Sequence, residues 1–290
     1  MSISRQNLSI VIVTLKSANV IHQCIDSIGQ DFPIIVVENS NDVIFKNELE
    51  SKYKNLKCIL SNENLGMGAG NNIGIKSAET DYVFILNPDV KLESNTLEEL
   101  CEASKKLPDF SILSPISSDV NFPNYGILNK KKIEKTTSPF KVDFVDGYSM
   151  LLNRKKFKDK IFFDEKFFLY LENNDLCLRV LRNGGSIFVV PTAKIFHGGS
   201  KTVDLKYRNE IELSRNWHWV WSKFYFNKKN FGLFKAIREC LTIYLSAIVK
   251  FLFYSFTRNN FKKRVYFNRA SGFYNSFMGR SAWYRPNFED

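Results

Sequence analysis

Along the first 200 positions, apolar residues come in short continuous runs. Between those runs, apolar residues recur every three or four positions. Leu8–Thr14 is one such run, rich in β-branched side chains, and predicts a strand buried on both faces. Residues 34–37, 57–60 and Tyr82–Leu86 predict three more strands, and residues 111–113 begin a fifth. Val20, Ile21, Cys24, Ile25 and Ile28 share one helical face, so residues 19–28 predict a helix, with Ser17 or Asn19 as its N-cap. A polar, helix-compatible stretch reaches Tyr53, and residues 97–107 predict a helix that stops before Pro108. Residues 121–139, rich in Pro, Asn, Gly and Lys, predict a long surface loop. Residues 144–153 resume as a strand, Glu172–Arg182 as a helix and residues 187–190 as a strand, after which the chain turns helical and aromatic. Repeated strand–helix units of this size predict an α/β fold, a mostly parallel sheet flanked by helices. Without internal repeats or a low-complexity linker, the economical division is one catalytic-type domain over 1–205 and a helical extension over 206–290.

The extension has its own pattern. Over Leu233–Phe256 the polar positions are Lys235, Glu239, Thr242, Ser246 and Lys250, one narrow stripe on an otherwise apolar helix. Its longest uncharged stretch, residues 240–249, falls far short of the ~20 residues that a membrane span needs. Such a helix either buries most of its surface in protein or lies in a membrane interface. Charge sharpens this: residues 1–200 carry 24 Lys and Arg against 24 Asp and Glu, while residues 201–290 carry 17 against 6. The whole net charge of +11 therefore sits in the last 90 residues, together with 23 of the 42 aromatics. A neutral body with a basic, aromatic tail points to an anionic partner. The first apolar run is too short for a secretory signal. Five cysteines without a Cys-x-x-Cys pair read as reduced thiols of a cytoplasmic protein, not as a disulfide scaffold or structural zinc site.

In an open α/β sheet, ligands bind beyond the carboxyl ends of the strands. Those ends carry Thr14, then Glu38-Asn39-Ser40, then Ser61-Asn62, then Asn87-Pro88-Asp89. The cluster Gly66, Gly68, Gly70 and Gly74 fails as a dinucleotide fingerprint: it follows the third strand, and the third glycine position holds Asn71 or Ile73. It reads instead as a helix N-terminus where backbone approaches a ligand, with Asn71 and Asn72 as side-chain donors. Asp89, held behind Pro88, is either a turn cap or an oxygen ligand for Mg²⁺ or Mn²⁺ carrying a diphosphate. Glu172 and Asp175 share a helical face behind an aromatic run, where a carboxylate serves as general base or simply answers the helix dipole. His197, followed by Gly198 and Gly199, suits a metal ligand or a phosphate donor.

In this order and spacing the segments Asn64-Leu65-Gly66, Asn71-Asn72-Ile73-Gly74, Leu86-Asn87-Pro88-Asp89, Phe163-Asp164-Glu165 through Asp175-Leu176-Cys177-Leu178-Arg179, and His197 resemble an inverting nucleotide-sugar glycosyltransferase of family 2. The resemblance covers roughly residues 8 to 200 and implies a GT-A fold. The Asn-Pro-Asp form of the metal motif is similar to that of rhamnosyltransferase-like enzymes of surface-polysaccharide assembly. It implies that Thr14 and Glu38, with Asn39 and Ser40, hold the nucleotide base and ribose. Asn64, Gly66, Asn71, Asn72, Asn87 and Gly147 join them as substrate-binding positions. Asp89 would bind Mg²⁺ or Mn²⁺ on the donor diphosphate, His197 would complete that site, and Glu172 would take the acceptor's proton. A dTDP- or UDP-sugar is the implied donor, and a saccharide, free or lipid-linked, the acceptor. The same resemblance turns the basic tail toward an anionic membrane, peripheral on the inner face, and leaves oligomeric state open.

Three departures stand out. Leu15-Lys16 replaces the aromatic and Asn or His often found after the first-strand Thr, and Glu38 replaces an Asp. The usual Glu-Asp-x-Asp is Glu172-Asn173-Asn174-Asp175 here, and an Asn cannot accept a proton, so the base falls to Glu172, with Asp175 the alternative. Three other functions compete. A sugar-1-phosphate nucleotidyltransferase needs a Gly-rich basic loop after the first strand, where Thr14-Leu15-Lys16-Ser17 has no glycine. A nucleic-acid binder would have its phosphates repelled by Glu38 and Asp89, so no nucleic-acid partner is expected. A non-catalytic glycosyltransferase fold is motivated by Asn173.

Overall fold

The computed structural model describes residues 3–119, 121–128, 136–157, 160–199 and 205–288. The middle of the expected 121–139 loop and the stretch just before residue 205 lie outside the described residues. The chain divides into two compact units, the first made of Met1–Leu65, Ala69–Asp164 and Leu176–Val203, the second of Gly66–Gly68, Glu165–Asp175 and Asp204–Asp290.

The first unit runs β1 (Leu8–Thr14), α1 (Ala18–Ile28), β2 (Ile34–Glu38), α2 (Val43–Lys52), β3 (Leu56–Leu60), α3 (Gly66–Ser77), β4 (Tyr82–Leu86), β5 (Val90–Leu92), α4 (Thr96–Lys106), β6 (Ile112–Ser117), β7 (Tyr125–Gly126), β8 (Phe140–Lys141), β9 (Phe144–Val145), β10 (Ser149–Asn153), α5 (Glu172–Arg182) and β11 (Ile187–His197). The first turns of α3 and α5 belong to the second unit. The main sheet has the order β3-β2-β1-β4-β10-β6-β11-β5, with β8 also on β11. Pairs β1–β2, β2–β3, β1–β4 and β6–β11 are parallel, whereas β10 runs antiparallel between β4 and β6. The continuous apolar runs are explained by burial on both faces. From β1, Ile10 and Ile12 join a core with Ile21 and Ile25 of α1, while Val11 joins the opposite core with Ile75 of α3 and Cys177 of α5.

Three expected elements differ. The strand over 144–153 is two strands separated by Asp146, Gly147 and Tyr148. The strand expected at 187–190 continues to His197, because a register shift between Val190 and Lys194 carries pairing past Pro191. His197 is thus a strand end and not a loop residue. Ser17 precedes α1 without capping it, because its hydroxyl bonds Leu15 instead.

In the second unit α6 (Arg208–Phe231), α7 (Leu233–Phe256) and α8 (Asn260–Phe277) pack together. Gly272 lets α8 approach α6, since a Cβ there would sit 2.3 Å from the Trp217 carbonyl oxygen. Trp217 Nε1 donates to Ser271 Oγ, and Ser276 Oγ donates to the Trp221 carbonyl. Two of the tail's four tryptophans, Trp217 and Trp221, are thus buried in its core. All five cysteines are free thiols.

Candidate active site

Parallel strands put their carboxyl ends on one edge of the sheet, and strands β10 and β5, which run antiparallel to them, begin at that edge. Thr14 pairs with Glu38, Leu86 with Ser149, and Val90 with His197. One edge therefore collects Thr14, Glu38, Asn39, Ser40, Asn87, Asp89, Gly147 and His197, as the strand-end reading requires. Glu38 is fully buried, and its carboxylate closes its own loop: Oε1 accepts from the Ser40 amide and hydroxyl, and Oε2 from the Asp42 amide at 2.7 Å. Glu38, Asn39 and Ser40 thus act together as a fixed turn, with the Asn39 amide donating to the Thr14 carbonyl at 2.8 Å.

Asp89 is the centre of this edge. Its side chain is 2% exposed, and Oδ1 lies 3.4 Å from His197 Nε2. The β5–β11 ladder delivers that contact, and the Gly198 amide donates to the Asp89 carbonyl at 2.9 Å just beyond it. Tyr148 stacks on the His197 ring at 3.9 Å between centroids and fixes its plane. Burial, with Asp146 beside it, holds the Tyr148 phenol protonated well above its ordinary range, and burial also raises the Asp146 carboxyl. Asp146 and Tyr148 escape the sequence reading. Their signal is the antiparallel direction of β10, which brings the residues before it to the active edge. Asn87 is anchored by its backbone to Tyr148, and its buried Oδ1 meets no hydrogen-bond partner among the described residues. A carboxylate oxygen and an imidazole nitrogen, beside an orphaned amide oxygen, fit a Mg²⁺ or Mn²⁺ whose remaining positions a diphosphate fills. Among the described residues, no three His, Cys, Asp or Glu side chains converge on one such point, so the ligand would have to supply the rest. A cavity of about 690 Å³, lined by Asp89, Cys24, Gln23, Glu93 and Phe196, opens beside it.

The glycine-rich segment has a different role from the one expected. Gly70 and Gly74 face β1: a Cβ at Gly74 would lie 2.4 Å from Val11 Cγ1, and one at Gly70 2.9 Å from Val13 Cγ1. These two glycines admit the strand, not a ligand. Asn72 exchanges both side-chain bonds with the Phe163 backbone, donating at 2.9 Å and accepting at 3.0 Å, so its amide holds the chain after β10. Asn71 is the available one, buried with an Oδ1 that finds no partner among the described residues. Asn64 lies half-buried just before α3.

The second unit holds Gly66, Glu172 and Asp175. Gly66 has φ +82°, and a Cβ there would collide with the Phe168 carbonyl, which accepts from the Met67 amide at 2.9 Å. Two consecutive left-handed residues, Tyr170 and Leu171, turn the chain into α5. α6 clamps this strained turn: Ser222 Oγ donates to the Leu169 carbonyl, and Phe168 stacks on His218. At the helix start Glu172 is buried, its Oε2 has no partner among the described residues, and burial raises its pKa to about 7. Asp175, one turn on, is fully buried and engaged: Oδ2 pairs with Lys229 Nζ at 2.8 Å, and Oδ1 accepts from Asn230 Nδ2 at 3.1 Å.

Comparison with known proteins gives the family and the fold. The sequence signature described as Glycosyl transferase family 2 matches residues 9–162. The rhamnosyltransferase WbbL of Escherichia coli (strain K12) is 28% identical over 218 residues, 65% of this chain and 82% of that protein. Among solved structures, GalNAc-T7 with UDP, GalNAc and Mn²⁺ superposes with TM-score 0.56 at 15% identity over 66% of this chain, less than half (43%) of that protein. S. aureus TarS 1–349 superposes with TM-score 0.52 at 14% identity over 96% of this chain and 93% of that one. The fold is the GT-A type expected, a mostly parallel sheet flanked by helices and followed by C-terminal helices.

Proposed function

Because the chain belongs to glycosyl transferase family 2, we propose that it moves a sugar from a nucleoside-diphosphate donor to a saccharide hydroxyl by single displacement, inverting the anomeric carbon. The observation that carries this reading is the buried Asp89 carboxylate facing His197 at the strand-end edge. Thr14, the Glu38–Ser40 turn and Asn71 would hold the nucleotide, a UDP or dTDP group, and a rhamnosyl or other hexosyl unit suits the likeness to WbbL. A Mg²⁺ or Mn²⁺ held by Asp89 and His197 would neutralise charge developing on the departing diphosphate.

Glu172 serves as the base. Its pKa of about 7 leaves it ready to take a hydroxyl proton near neutrality, while Asn173 cannot and Asp175 is bound to Lys229. The acceptor is a saccharide of a surface polysaccharide, free or on a lipid, met in the cytoplasm or at the inner face of its membrane.

A panel of nucleotide-sugars with Mn²⁺ or Mg²⁺, scored by mass spectrometry for nucleoside diphosphate release and transfer, tests the reading. One donor is expected to be consumed, and Asp89→Ala to lose transfer at least about a hundredfold with the fold intact. Full activity in Asp89→Ala removes the metal argument. Silence across all donors in a folded protein favours a non-catalytic glycosyltransferase fold.

A further inference from the structure

Helix α7 turns an apolar stripe to solvent. Phe234, Leu241, Leu245, Val249, Leu252 and Phe256 lie on one face, and all six are exposed, Phe234 to 91% and Phe256 to 89%. The opposite face, Ala236 and Cys240, is buried against Val220, Phe224 and Phe273. Of the two fates open to this helix, burial inside protein is therefore only half met. The stripe runs about 33 Å at 1.5 Å per residue, far beyond scattered surface hydrophobics.

Its surroundings are cationic. From Cys240 to Phe288 the chain carries eight Lys and Arg and no Asp or Glu. Arg258 stands in the α7–α8 turn, flanked by the exposed rings of Phe256 and Phe261. Lys262 and Lys263 open α8, their ammonium groups 5.2 Å and 5.9 Å from the ring centres of Tyr254 and Phe251. Two other cations of the tail face protein instead: Lys229 pairs with Asp175, and Arg264 with Glu210 at 2.9 Å.

We propose that the outward face of α7 and the α7–α8 turn dock on an anionic lipid bilayer. Apolar side chains would enter the acyl boundary, and Arg258, Lys262 and Lys263 would meet the phosphate headgroups. The helix lies on the bilayer; among the described residues none is long and apolar enough to cross it. A second copy fits this face poorly, because two acid-free, cationic surfaces would be brought together. A bilayer also holds any lipid-linked acceptor, and that link alone rests on the proposed glycosyl transfer.

Flotation of the full chain tests this, using vesicles of phosphatidylcholine alone or of equal parts phosphatidylcholine and phosphatidylglycerol. The protein is expected to rise only with the anionic vesicles, and raising salt to about 1 M is expected to lower the bound fraction severalfold. Lys262→Glu with Lys263→Glu is expected to weaken binding about fivefold or more per site, and Leu245→Glu with Val249→Glu to abolish flotation. All four positions are at the surface, and circular dichroism checks that the helices remain. No flotation on anionic vesicles, equal flotation on neutral ones, or flotation that both variant pairs leave untouched overturns the proposal. A concentration-dependent dimer that Leu245→Glu dissolves, without flotation, assigns the face to a second copy and also overturns it. Because flotation does not read transfer, a chain that floats but consumes no donor sinks only the catalytic reading.

Discussion

Glu172 and Asp175 stand one turn apart on α5 and yet cannot do the same chemistry. Asp175 pairs with Lys229 and accepts from Asn230, whereas Glu172 has burial and little else, which lifts it from 4.5 to about 7. A base works deprotonated, so turnover is expected to rise with pH through about 7 and then level. The same shift acts on stability with the opposite sense. Between 4.5 and 7 the folded protein keeps a proton that the unfolded chain has lost, so stability falls as pH rises through that window, by roughly 3 kcal/mol. Glu172→Gln is therefore expected to lose about 10²–10⁴-fold in turnover while melting higher than the parent at pH 8. Kinetics across pH and paired thermal melts check both halves; an unchanged pH limb in Glu172→Gln would move the base to Asp175. The vacant Asn173 position was legible in the sequence. That Asp175 is engaged, which supports the choice of Glu172 as the proposed base, was not, because the lysine that pairs with it lies 54 residues away and no local pattern announces it.

Among the elements, α3 packs directly on β1 through Gly70 and Gly74. Gly74→Ala would gain up to about 1 kcal/mol of helix propensity. Its Cβ, however, would stand 2.4 Å from Val11 Cγ1 in a packed core, a strain of about 1–3 kcal/mol, so a lower melting temperature is expected. A variant that melts at or above the parent would mean that the helix shifts freely. Strands β1, β2 and β4 could be read in the sequence within a residue or two, because burial on both faces leaves nearly unbroken apolar runs, and the edge strand β3 was legible too although Lys57 is exposed. Periodicity carries no sign of strand direction. It therefore could not announce that β10 enters antiparallel and sets Asp146 and Tyr148 beside His197, nor that three residues of β5 suffice to pair His197 with Val90. The glycines were read correctly as small and wrongly as open, since a bare backbone looks the same whether a ligand or a valine comes against it.

For the molecule as a whole, two buried groups of the second unit pull the acid response in opposite directions. His218 is held neutral, its Nε2 donating to the Tyr284 carbonyl at 2.8 Å, and burial lowers its pKa from 6.5 to about 3. Stability is therefore lost as pH falls below 6.5, at about 1.4 kcal/mol per pH unit, because the unfolded chain takes up a proton that the folded one refuses. Glu172 contributes the reverse from 7 down to 4.5, so the two largely offset until Glu172 is exhausted. Urea unfolding followed by fluorescence of the four tryptophans, all in this unit, is expected to be nearly flat from pH 7 to 5 and to weaken below 4.5. His218→Phe, once folded, is expected to gain stability over the same interval, and a profile parallel to the parent's would discount His218. The Asp175–Lys229 pair carries a last consequence, for inheritance. The divide at residue 205 that the sequence suggests would separate a buried carboxylate from its cation, a loss of about 3–5 kcal/mol. A chimera that borrows the C-terminal helices from a relative must therefore also borrow an answer to Asp175.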